Sequence, residues 1–271
     1  MCNVLWARRD GRVLADTRVL RMLTTSLVLL SNQMALQRSV DIVANNIANS
    51  STTGFKRESV QFATQVDDAS DSATPSDKTF FVYDRATIRD MSPGTTSSTG
   101  NPLDLAIQGS GYFEVQTPQG TQYTRNGAFR TDSQGQIVTS TGLPVLSDGG
   151  QPITLPDDAR DITVSGDGFI TAQTGTGSAR AQLGKLGVVD FVNNAALTPT
   201  SKGLFTTTQL ATPITGNPVI QGAIENSNVN AIQEITDLIR IQRAYEQASN
   251  FVGQDNTRML AAIDKLSQTS A

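Results

Sequence analysis

The 271-residue chain is 38% hydrophobic, enough for a folded core in one large domain or two ordinary ones and too much for a fully disordered protein. Its formal charge of −4 weighs against nucleic acid and acidic membranes, because neutralising phosphate needs a clustered basic face. With no histidine and only one cysteine, Cys2, the imidazole and thiolate metal sites, histidine-based triads and internal disulfides are excluded.

Residues 1–21 are basic, with Arg8, Arg9, Arg12, Arg18 and Arg21 against Asp10 and Asp16. They precede LTTSLVLL (Leu23 to Leu30), which is similar to the apolar block of a secretory signal. The block is interrupted by Thr24, Thr25 and Ser26, no small-x-small site follows, and the helical pattern runs on past it. The expectation is a loose extension, or a true start at Met22, without cleavage. No stretch approaches the roughly 20 apolar residues needed to span a bilayer.

A long first helix follows. Leu23, Leu27, Leu30 and Met34 form one four-three series, and Leu36, Val40, Val43 and Ile47 form a second on the neighbouring row. So wide an apolar face suits burial against more than one partner. The helix stops in ANNIANSSTTGFK (Ala44 to Lys56), where Ser50 to Thr53 compete for the backbone and Gly54 offers a turn. The acidic stretch with Asp67, Asp68, Asp71 and Asp77 lacks calcium-loop spacing and reads as a solvated linker.

The middle is β-structure. All ten prolines lie between Pro75 and Pro218 and nineteen of the 22 glycines between Gly94 and Gly222, which rules out long helices there. YFEVQT, QYTR, QIVTS, DITVS, FITAQ and KLGVVDF are short strand-like runs, with turn signals at Pro118-Gln119-Gly120, Asn126-Gly127 and Asp167-Gly168. Ten of the fifteen aromatics fall between Phe80 and Phe205, so this region holds the main core. Gly109-Ser110-Gly111 lacks the dinucleotide fingerprint and precedes a strand, so a turn is the better account. The Asp157-Asp158 pair suits a turn after Pro156 better than acid-base work, since adjacent strand residues face opposite ways. No catalytic group, metal set or cofactor site stands out.

The last segment is a helix. Ala231, Ile235, Leu238, Gln242, Tyr245, Ser249, Val252, Asn256, Met259, Ile263 and Leu266 keep four-three spacing over 36 residues, about 54 Å at 1.5 Å per residue. Asn230 is placed to cap it, with Gln233 completing a variant capping box. Gln242, Ser249 and Asn256 recur every seven residues on this seam, as in assemblies that trade stability for register; a solvent-facing stretch of a monomeric hairpin is the alternative. The expected fold class is α+β: an irregular antiparallel β-domain flanked by long N- and C-terminal helices that pair or pack in a coiled-coil-like layer. The expected divisions are the extension (1–21), helix and turn (22–66), linker (67–92), β-rich domain (93–224) and long helix (225–271).

Three ordered stretches resemble flagellar axial proteins, and more narrowly the basal-body rod proteins related to the hook: ANNIANSSTTGFK, NPLDLAIQGSGYFEVQTPQGTQYTRNGAFR (Asn101 to Arg130) and ENSNVNAIQEITDLIRIQRAYE (Glu225 to Glu246). The resemblance covers Leu23 to the C-terminus, and residues 1–21 have no counterpart in it. Length without a large insertion and the stretch QMALQRSVDIVANNIAN are most similar to the proximal (F) type, with the distal (G) type as runner-up and a hook-like axial subunit as a further alternative. The resemblance implies a non-enzymatic structural subunit of a helical shaft that transmits torque across the periplasm. It implies terminal segments that order on assembly, and export through the flagellar type III apparatus without a cleaved signal. The implied partners are other rod and hook-family axial proteins and further copies of the chain, with no cofactor, nucleic acid or membrane insertion. A secreted β-domain surface protein and a peptidoglycan-active enzyme are the competing classes.

On this reading the assembly interface comprises Leu27, Leu30, Met34, Leu36, Val40, Val43, Asn45, Asn46, Ile47, Asn49, Thr53, Gly54 and Phe55 at one end. At the other it comprises Asn228, Asn230, Ile235, Leu238, Gln242, Tyr245, Ser249, Val252, Asn256, Met259 and Ile263. Asn45, Asn46 and Asn49 would fix lateral register and Phe55 would anchor in an adjoining groove. An internal helix-to-strand turn built from the same residues is compatible with this.

Overall fold

The computed structural model describes residues 27–68, 78–175, 180–200, 203–214, 216 and 219–269. The expectations for residues 1–21, Met22, Leu23, Asp71 and Asp77, and for the side chain of Ile263, lie outside this description. The chain divides into two units, one drawn from Met1–Asn45, Ser59–Ile88 and Ile232–Ala271, the other from Asn46–Glu58 and Arg89–Ala231.

The first unit holds most of helix α1 (residues 27–48) and most of helix α2 (Ala231–Thr269). At 39 residues α2 extends about 58 Å. It starts at Ala231, immediately after Asn230, where the capping sequence expects it. The helices meet where Gln33 Nε2 donates to the Tyr245 hydroxyl at 2.9 Å. Just past α1, the Gly54 N–H donates to the Glu225 carbonyl, just before α2, at 2.7 Å. The two helices are therefore antiparallel. Small residues line their inner faces, with Ala35 8% and Ala248 6% exposed, alongside Ile42 and Val43 of α1.

Strands β1 (Glu58–Asp68) and β2 (Lys78–Arg89) form a two-stranded sheet. Residues 67–92, read from sequence as a linker, thus contain a paired strand. Their acidic, serine-rich part masked the β-branched and aromatic character of KTFFVYDRATIR. Arg38 of α1 pairs with Asp84 of β2 at 3.2 Å.

The second unit is built around a six-stranded antiparallel sheet, ordered Thr198–Pro199, Leu204–Thr206, Gly120–Thr124, Tyr112–Thr117, Val188–Asp190, Thr212–Pro213. The strand YFEVQT is buried on both faces because successive side chains point to opposite sides. Phe113 and Val115, both fully buried, enter the main core with Leu105, Ile137, Val145, Ile170 and Leu186. Tyr112 instead joins Phe191, Phe205 and Leu197 in a smaller cluster, with ring centroids 5.8 and 5.7 Å from Phe191 and Phe205.

A three-stranded sheet, Arg180–Lys185, Phe169–Gln173, Arg160–Val164, turns at Asp167-Gly168 as the sequence expects. Pro118-Gln119 likewise closes the hairpin in which Thr117 faces Gly120. KLGVVDF is broken: Lys185 ends one strand and Val188 begins another. Asn126-Gly127 is not a hairpin turn. The Gly127 carbonyl accepts from Leu105 N–H at 2.9 Å, and a Cβ on Gly127 would lie 1.7 Å from the Leu105 carbonyl oxygen, so close backbone contact is what requires glycine there.

Candidate assembly interface

The three sequence stretches that carry the resemblance converge in the second unit on one buried cluster of charge. Glu225 Oε1 accepts from Lys56 Nζ at 2.7 Å and from Gly94 N–H at 2.9 Å; Glu225 Oε2 accepts from Arg125 Nε at 2.6 Å. All three side chains are 2–4% exposed. Two cations share one anion, and main-chain carbonyls meet the remaining positive charge. Arg125 donates to Gly111 O at 2.5 Å, Ile107 O at 3.1 Å and Gly109 O, while Lys56 Nζ donates to Ser92 O at 2.8 Å. Only the guanidinium fork can serve so many acceptors from one side chain. The Gly109-Ser110-Gly111 turn thus presents carbonyls to a cation, the reverse of a phosphate loop.

Burial pushes the Lys56 ammonium below its ordinary value, and its bond to Glu225 only partly offsets this. Burial alone would raise the Glu225 carboxyl; the Lys56 hydrogen bond and the Arg125 charge outweigh it and hold the group below the usual carboxylate range. Such a buried triad adds little net stability over an apolar equivalent, but its disruption strands an unpaired charge.

Around this cluster the polar residues of the first and last stretches are used within the chain. Asn46, 0% exposed, brackets Glu58: its Nδ2 donates to the Glu58 carbonyl at 2.8 Å and its Oδ1 accepts the Glu58 N–H at 2.9 Å. Asn228 Oδ1 accepts the Arg57 N–H at 2.7 Å, and its Nδ2 donates to the carbonyls of Asp90 and Ser92 at 2.9 and 3.1 Å. Gly54 is buried at a φ of 70°, and a Cβ there would lie 2.8 Å from the Arg125 backbone. The sequence reading gives Asn46, Gly54 and Asn228 to contacts between copies. Within one chain their side-chain bonding capacity or space is already engaged, as the internal helix-to-strand turn requires. Asn49 accepts from the Thr52 hydroxyl at 3.2 Å, and Thr53 and Phe55 are half-buried in the same internal turn.

The helices present a different arrangement. On α1, Leu36, Val40 and Ile47 are half-buried and Val43 is buried, whereas Leu27, Leu30 and Met34 are 53%, 50% and 66% exposed and Asn45 is exposed. On α2, Leu238, Tyr245, Val252 and Met259 are half-buried. The alternate rung is displaced by one residue: Ile235, Gln242, Ser249 and Asn256 are exposed, while Glu234, Ile241, Ala248 and Asp255 turn inward. A 100° step lets two four-three ladders run through adjacent columns, and the small Ala248 permits the closer approach on the inner one. Asn230 is exposed. The outer surface of α2 therefore retains Ile232, Ile235 and Ile239 at 79%, 47% and 47% exposure.

Three family descriptions match separate parts of the chain: "Flagella basal body rod protein" over residues 27–56, "Flagellar hook protein FlgE/F/G D1 domain" over 106–172, and "Flagellar basal body rod FlgEFG protein C-terminal" over 220–271. The flagellar basal-body rod protein FlgF of Caulobacter vibrioides is 39% identical over 88% of this chain and 95% of its own length. The chain belongs to the flagellar basal-body rod family. FlgG of Agrobacterium fabrum is 36% identical over 80% of this chain and 90% of its own, and FlgF of Mesorhizobium japonicum 32% over 90% and 98%. The protein is thus a structural, non-enzymatic subunit of the flagellar basal-body rod, of the FlgF or FlgG type. Each of the three rod-family stretches supplies one charge of the buried cluster, a role that sequence reading missed. In the first stretch the available signal was Lys56, its single ionic residue among small polar ones; the other two stretches hold several charges and do not single out Arg125 or Glu225.

Proposed function

We propose that this rod subunit is of the proximal type and assembles through the outward faces of its two terminal helices, in a shaft that carries torque across the periplasm. The observation that carries this reading is the pair of apolar rows left on the surface, Leu27, Leu30 and Met34 on α1 and Ile232, Ile235 and Ile239 on α2, on helices whose inner faces are already packed. Exposed rows of this length mark association surfaces. Other rod and hook-family proteins would cover them above and below, and copies of the chain from the side. Export before folding, through the flagellar type III apparatus, suits a chain whose helices gain full burial only on docking, since ordering each residue costs about 1–2 kcal/mol. Electron microscopy of basal bodies from a deletion strain tests this. Shafts that stop before their distal part support it, whereas complete shafts with normal motility exclude it.

A further inference from the structure

The outer face of α2 carries a groove of about 450 Å³, lined by Thr236, Ile239, Arg240, Arg243, Ala244 and Gln247. Its lining combines the apolar Ile239 and Ala244 with the basic Arg240 and Arg243. Arg240 already holds Asp237 at 2.7 Å, and the exposed Arg243 lies one turn further along. Phe251, 59% exposed, continues the same face beyond Gln247. The outer face of α1 has the matching chemistry: Met34 is 66% exposed, and Asp41 is an exposed carboxylate two turns later.

We infer that the occupant of this groove is α1 of a second copy, lying antiparallel to α2 with Asp41 opposite Arg243 and Met34 against Phe251. This rests on the reading that copies assemble by their terminal helices about a common axis. In such an assembly every α1 runs one way and every α2 the other, so packing of α1 on a neighbour's α2 is antiparallel. Asp41 and Met34 are about 10 Å apart along α1, and Arg243 and Phe251 about 12 Å along α2, so the charge pair and the apolar pair close together. The same register brings Ala48 over Thr236, where a small side chain lets the backbones approach. The groove takes a helix that brings one carboxylate and one methionine side chain into this register, with the exposed Arg38 of α1 already paired to Asp84 of its own chain.

The test uses the full chain in its own basal bodies, with Cys2→Ser to remove the native thiol. Met34→Cys and Phe251→Cys in one chain should yield covalent oligomers on mild oxidation, since a disulfide needs the two backbones nearly touching. Met34→Cys with Ile232→Cys should not, because Ile232 lies about 28 Å from Phe251 along α2. Oligomers from the second pair but not the first overturn this register while leaving helix-mediated assembly standing. Linkage from neither pair, together with complete shafts in a deletion strain, overturns both. In the linkable background Asp41→Arg or Arg243→Asp should each lower oligomer yield about fivefold. The double reversal should restore it; unaffected single variants, or a double variant no better than either, refute the pairing.

Discussion

Replacing Glu225 with alanine removes the carboxylate that Lys56 and Arg125 both contact; their side chains are 2% and 4% exposed. Arg125 keeps its three carbonyl partners and Lys56 keeps Ser92 O, but neither buried cation keeps the carboxylate it was paired with, and the more distant Asp90 charge reaches only Lys56. Breaking a buried pair in this way costs about 3–5 kcal/mol, which for a protein of this size corresponds to a fall of roughly 6–20 °C in melting temperature. Lys56→Met should cost far less, about 1–2 kcal/mol. The Ser92 carbonyl is still served by Asn228 at 3.1 Å, Glu225 keeps Arg125 and Gly94, and the burial penalty on the ammonium disappears. Thermal unfolding of the full chain followed by near-ultraviolet circular dichroism reads the tyrosines and phenylalanines of the β-unit directly. The reasoning fails if Glu225→Ala melts within about 1 kcal/mol of the parent, or if Lys56→Met costs as much as Glu225→Ala.

Asn46→Ala should destabilise by about 2 kcal/mol, because it leaves the N–H and carbonyl of Glu58 without their amide partner; urea unfolding measures it. Gly54→Ala combines a φ of 70° with a 2.8 Å approach to the Arg125 backbone and should lose at least about 2 kcal/mol in the same experiment. Leu30→Asp, on a half-exposed position, should shift unfolding by no more than about 0.5 kcal/mol yet abolish swarming, which separates assembly from folding. Burial raises the Glu114 carboxyl, so its ionisation opposes folding at neutral pH and that penalty fades as pH falls through the raised value toward the unfolded one. Glu114→Gln should therefore melt higher than the parent at pH 7 and converge with it in acid, as a melting series across pH would show.

Much of this architecture is written locally. Asn230 announces the start of α2, Asp167-Gly168 and Pro118-Gln119 place their turns, and alternation in YFEVQT gives a strand with both faces occupied. The buried charges are not written locally, because Glu225 lies 169 residues from Lys56 and 100 from Arg125, and no spacing rule reaches that far. Asn46, Gly54 and Asn228 were recognisable as special residues, but their chemistry is the same whether a partner amide belongs to the same chain or a neighbour. The inner column of α2 was offset by one residue for a related reason. Each column mixes one isoleucine with polar or small residues, Ile235 with Gln242, Ser249 and Asn256 against Ile241 with Glu234, Ala248 and Asp255, so hydrophobic spacing does not tell them apart.

The sequence distance between Lys56 and Glu225 has a kinetic consequence. A chain that emerges N-terminus first from any narrow channel presents Lys56 early, yet the carboxylate that neutralises it follows 169 residues later. The edge strand Thr212–Pro213 of the six-stranded sheet is nearly as late. Until that far portion has passed, the leading part can close local hairpins but not the buried charge cluster or the completed sheet edge, since loop closure must precede any long-range contact.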